Sequence, residues 1–124
     1  MSPQGNVAIR AAAYRTKGDS TSLISRVVSG QILPSGIYIQ FEAVSSTGIL
    51  YSSKDFEIKW QVVNTDHEAW EKKALRGDFY KSDTRGIRWE TTEYRGIHWI
   101  EAFVIRKRDR VCTARSGRFF VVIE

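Results

Sequence analysis

The residues with the types needed for chemistry are few in this chain, and they are scattered. His67 and His98 lie far apart, without the cysteine or carboxylate spacing that holds a metal ion. Cys112 and His98 are the one thiol and imidazole that neighbouring strands could bring together as nucleophile and base. Read otherwise, Cys112 is a free thiol that packs as a small hydrophobe, and this is the better reading. Glu90 and Glu101 could oppose one another as paired carboxylates, an arrangement that β-sandwiches also carry by chance. No glycine-rich loop precedes a helix to cradle phosphate, and no Gly-x-Ser-x-Gly turn presents a serine. The chain is therefore expected to bind rather than to catalyse, with no cofactor and no metal.

What it binds is bounded by bulk properties. The 124 residues suit one domain, and 42% hydrophobic with 27% charged residues suits a globular one. A single cysteine forms no intrachain disulfide, which fits a reducing compartment. The start, Met1-Ser-Pro-Gln-Gly-Asn, has no basic-then-apolar signal pattern, and no apolar run reaches membrane-spanning length. A cytoplasmic protein without membrane contact is expected. The net charge of +5 suggests anionic partners: nucleic acid, nucleotide or acidic protein.

Strands must position whatever site exists. Phe56, Ile58, Trp60 and Val62 alternate with Glu57, Lys59 and Gln61, the pattern of a half-buried strand. Ile37, Ile39, Phe41 and Ala43 repeat it after a Pro34-Ser35-Gly36 turn. Further strands are expected near Val7–Ala13, Gly86–Glu93, Ile97–Lys107, Arg110–Ala114 and Arg118–Ile123. Ile97–Ile105 is apolar on both faces, as a central strand should be. Lys17–Ser25 is polar and reads as a loop. Asp66 to Leu75 reads as a short helix, with a capping Asp66, early acids, late lysines, and Trp70 and Ala74 on one face. The expected fold is all-β, an immunoglobulin-like antiparallel β-sandwich with one short helix at about 66–75. A small barrel is the alternative.

Three segments carry the most information. They are Trp60-Gln61-Val62-Val63-Asn64-Thr65, Leu75-Arg76-Gly77-Asp78-Phe79-Tyr80, and Glu90-Thr91-Thr92-Glu93-Tyr94-Arg95-Gly96-Ile97-His98 running into an apolar strand. In order and spacing they resemble the adenylyl/guanylyl cyclase and SMODS C-terminal sensor domain, AGS-C. That family's pattern is a W-x-V-x-N-T strand, an acidic helix into L-R-G, then E-x-T-x-Y-x-G-x-H. The resemblance runs from about Leu33 to the C-terminus. It departs at Asp66, where the family usually has Gly. It implies a β-sandwich accessory module of bacterial antiphage conflict systems built on nucleotide second messengers. Such a module accompanies a nucleotidyltransferase of the SMODS type, which makes cyclic oligonucleotides, or an effector, and it senses a ligand. The chain then reads as a sensor domain cut from a longer protein.

Each candidate residue has two readings. Trp60 either fills the core or stacks on ligand, and Asn64 either ties local backbone or contacts ligand. Arg76, before a glycine, either forks onto phosphate or pairs with Glu90 or Glu101. Tyr94, Gly96 and His98 are spaced like the corner that opens a central strand, so His98 is a corner residue or a ligand contact. Arg95 points from a turn into solvent and joins Tyr80 as an outer candidate for binding. Glu90 completes the candidate ligand-binding set. Arg106-Lys107-Arg108-Asp109-Arg110 should form a basic hairpin tip flanked by Arg115 and Arg118.

The leading expectation is a sensor of a nucleotide-like ligand, a cyclic di- or oligonucleotide. Two alternatives stand beside it: a nucleic-acid-binding module, and a protein-interaction module that detects a phage or partner protein.

Overall fold

Alternation of apolar and polar side chains becomes two layers in the computed structural model, which describes residues 7–64, 79–81 and 86–124. The first sheet holds β1 (Val7–Tyr14), β2 (Leu23–Val27), β4 (Tyr38–Ser45) and β7 (Ile87–Thr91), in the order β2-β1-β4-β7. The second holds β3 (Ile32–Leu33), β5 (Phe56–Asn64), β6 (Phe79–Lys81), β8 (Gly96–Arg106), β9 (Val111–Arg115) and β10 (Phe119–Ile123). Its order is β3-β10-β8-β5-β6, with β9 also paired to β8. Both layers are antiparallel except where β3 joins β10. The architecture is thus all-β and sandwich-like.

β8 is the spine of the second sheet. One edge pairs with β5 from Asn64↔His98 to Phe56↔Arg106. The other edge is shared by two strands in line: β10 pairs with Gly96–Ile100 and β9 with Phe103–Arg106. β8 is thus central in its sheet, with paired strands along both edges.

The core lies between the layers. Ile39, Phe41 and Ala43 of β4 meet Ile58 and Trp60 of β5, Ile100, Ala102 and Val104 of β8, and Val121 and Ile123 of β10. Phe41 packs edge-on to Phe119 at 5.7 Å and tilts against Trp60 at 6.4 Å. Each such large side chain taken out of water contributes roughly 1.5–3 kcal/mol.

One expectation meets a different outcome. Lys17–Ser25 is not loop throughout: a 3-10 turn at Ser20–Ser22 leads into β2, which starts at Leu23. β2 is an edge strand that buries only Val27, so backbone bonds to β1 hold it and no apolar alternation marks it. The expected helix at 66–75 lies outside the described residues. No helix among the described residues is long and apolar enough to cross a membrane.

Candidate functional site

Two local devices build the corner between β7 and β8. Thr92, fully buried, follows β7 and is locked to the start of β4. Its hydroxyl accepts from the Ile37 amide at 2.9 Å and lies 3.3 Å from the Ile37 carbonyl, to which its own amide also donates. His98, on the inward face of β8, is 6% exposed. Its Nε2 sits 2.7 Å from the Tyr94 carbonyl oxygen. A carbonyl only accepts, so Nε2 carries the proton and donates. Nδ1 is left as a lone pair, shut from solvent and without a partner among the described residues. Gly96 between them takes φ 113°, a left-handed value that a side chain would resist. Tyr94, Gly96 and His98 thus do form the corner that their spacing suggested.

Beneath this corner a cavity of about 190 Å³ opens between the sheets. Glu90, Glu93, Tyr94 and His98 line its polar side, with Ile39, Phe41 and Val62 among the apolar walls. Glu90 faces inward because it pairs across with Ile39, and Arg88 shares that face opposite Phe41. The Arg88 Nε donates to Glu90 at 2.7 Å, so an ion pair stands at the open edge of the inter-sheet space. Sequence reasoning passed over Arg88. The signal was there, since residues two apart on a strand share a face.

The remaining candidates separate. Trp60 is 0% exposed and belongs to the core cluster between the sheets. Asn64 ends β5 directly opposite His98, and Tyr80 on β6 pairs with Trp60. Arg95 is exposed at the corner, as expected. Arg76 lies outside the described residues. Glu101 is 3% exposed. It accepts both guanidinium bonds of Arg115 at 3.2 Å and the Gly117 amide at 3.0 Å. The carboxylate in turn raises the Arg115 guanidinium above its ordinary range, chiefly through the hydrogen bond.

The basic hairpin tip forms between β8 and β9 and is partly self-neutralised. Arg106 forks onto Asp109, with Nη2 at 2.7 Å, and holds that carboxyl below its ordinary value. Arg110 reaches Glu57 at 3.0 Å, and Lys107 donates to the Ser53 carbonyl at 2.6 Å. Arg108 stays exposed. Among the described residues no three His, Cys, Asp or Glu side chains converge as metal ligands. Cys112 is half-buried, and its thiol points at the Ala114 carbonyl at 3.4 Å.

The geometry is therefore that of a small cavity with a polar side, which includes the carboxylates of Glu90 and Glu93, and an apolar side. No curated protein matches the chain in sequence. A family model described as the adenylyl/guanylyl and SMODS C-terminal sensor domain matches residues 1–124, further than the resemblance from Leu33 had suggested. The chain belongs to this family of sensor domains, and its role is sensing rather than catalysis.

Proposed function

We propose that this domain is the ligand-sensing module of a bacterial antiphage system built on nucleotide second messengers, working in the cytoplasm. It takes a cyclic di- or oligonucleotide and relays occupancy to an attached or partner nucleotidyltransferase or effector. The observation that carries this reading is the cavity at the β7–β8 corner, with Glu90, Tyr94 and His98 in its wall. At about 190 Å³ it is smaller than the roughly 300–1,000 Å³ of pockets that engulf a whole ligand. It suits one planar ring. A base entering there offers amino and imino donors to the carboxylates of Glu90 and Glu93. The phosphates remain outside, toward Arg95, because the carboxylates of Glu90 and Glu93 repel them. Occupancy would press on the corner that Thr92 and His98 fix, and so move the β7–β8 connection.

A thermal-shift screen with cyclic dinucleotides and cyclic trinucleotides tests this. A ligand that binds only the folded domain stabilises it by about 2.7 kcal/mol at a hundredfold excess over Kd, so one cyclic nucleotide should raise the midpoint. Arg76→Ala should then lose about 1.5–3 kcal/mol of affinity with little change in the ligand-free midpoint. A flat screen, together with a midpoint that collapses in Arg76→Ala, would leave Arg76 a structural residue and overturn the reading.

A further inference from the structure

The outward face of β8 is chemically unlike its inward face. His98, Ile100, Ala102 and Val104 are buried on the inward face, so Trp99, Glu101 and Phe103 turn the other way, and of these only Glu101 is buried. Register puts Phe120 of β10 beside Trp99, and Arg115 of β9 beside Phe103. Phe120 is 38% exposed, and Trp99 and Phe103 are half-buried. The Arg118 guanidinium lies 4.2 Å from the Trp99 ring centroid, and that of Arg115 lies 5.0 Å from the Phe103 centroid. Four residues of extended strand separate the two rings, roughly 13 Å. Glu101 stands between them, but Arg115 and the Gly117 amide already hold its charge.

Cations continue this line at both ends. Exposed Arg95 precedes β8, and the hairpin tip with exposed Lys107 and Arg108 follows it. Rings and guanidinium groups thus flank one strand for roughly 36 Å, at about 3.3 Å per residue over its 11 residues.

We propose that this face is a stacking platform for single-stranded nucleic acid. Bases stack on Trp99, Phe103 and Phe120, and on the guanidinium planes that lie over two of those rings. The sugar–phosphate backbone runs along β8, and its phosphates meet Arg95 at one end, Arg118 near the middle, and Lys107 and Arg108 at the other end. The surface selects single strands because aromatic rings read the faces of unstacked bases, and a paired duplex hides those faces. The overall +5 charge adds long-range attraction. Trp99 also borders the cavity, whereas Phe103, Phe120, Arg115 and Arg118 of the platform do not line it.

The test is fluorescence anisotropy of a fluorescein-labelled twelve-nucleotide oligothymidylate at stepped salt concentrations. The intact domain should bind it, quench its own tryptophan emission on binding, and lose affinity linearly on a logarithmic salt axis. A duplex of the same length should bind more weakly. Trp99→Leu should weaken binding about tenfold, the scale of one lost base–ring stack. Trp99→Phe keeps a ring and the packing, so it should retain most affinity while losing most of the quench. Arg118→Glu changes an exposed side chain, leaves the fold intact, and should weaken binding at low salt. The proposal is overturned if the oligonucleotide fails to bind at low salt, or if duplex or polyglutamate binds as well. It is equally overturned if both Trp99→Leu and Arg118→Glu, checked as folded by circular dichroism, bind like the parent.

Discussion

The cavity at the β7–β8 corner and the outer face of the second sheet lie back to back on one strand, and their charges are opposite. The polar side of the cavity carries Glu90 and Glu93, with Arg88 turned onto Glu90. The outer face carries Arg115 and Arg118 over aromatic rings, and the carboxylate between those rings, Glu101, is buried and paired. A net charge of +5 therefore says little about the cavity. What enters the corner must present hydrogen-bond donors, whereas what lies on the outer face must present acceptors. A nucleotide has both, at different ends. The strand alternation of β8 is what separates these two chemistries, since adjacent residues face opposite sides.

Trp60 is where the comparison can be broken altogether. Its ring sits in the layer that supports both regions, so Trp60→Ala should cost about 3–5 kcal/mol in urea denaturation and leave neither region formed. Survival with parental stability would mean that the packing around β5 contributes far less than its burial implies.

Thr92→Val sharpens the comparison, because it touches only the corner. The isosteric side chain cannot accept from the Ile37 amide, and stranding that donor should cost about 1–3 kcal/mol. Binding to the outer face should not change. If oligonucleotide binding falls together with stability, the two regions are coupled through β8 and are not independent sites.

Asp109 gives the smallest effect, at the far end of the outer face. The Arg106 hydrogen bond holds its carboxyl below the ordinary value of 3.8. A folded-state value below the unfolded one means that the stabilisation is complete above the ordinary carboxylate range. It fades as pH falls through the lowered value. Because the pair is exposed, the fade should be slight and should vanish in high salt. A carboxyl titration followed by NMR, with and without Arg106→Gln, would show the lowered value return toward normal.

The sequence made some of this visible, and the reasons differ by residue. The strand Phe56–Asn64 and the core position of Trp60 followed from alternation, because one face of β5 is buried and the other is not. The corner of Tyr94, Gly96 and His98 was legible because its partners are four residues apart. Thr92 was not singled out, since its partner Ile37 lies 55 positions away and nothing local announces the bond. β2 and β3 were invisible for another reason: both are edge strands with mostly exposed side chains, so their sequence carries no periodic signal. The pairing of Glu101 with Arg115 was not foreseen, because strand register makes it. Register is a property of the whole sheet, and no short window of sequence contains it.

The parallel pairing of β3 with β10 has a consequence for the order in which the chain assembles. Val122 meets Ile32 and Ile123 meets Leu33, across nearly three-quarters of the sequence. By contrast β8 and β9 form a hairpin, and β10 follows within a few residues. Loop-closure entropy favours the nearby pairings, so the β8–β9–β10 meander should form before β3 arrives. β3 has only two residues to offer and gains its place once β10 is already laid against β8. The N-terminal layer is thus stitched to the second sheet late, through a short strand. A chain dominated by such distant pairings is expected to fold in milliseconds to seconds rather than microseconds.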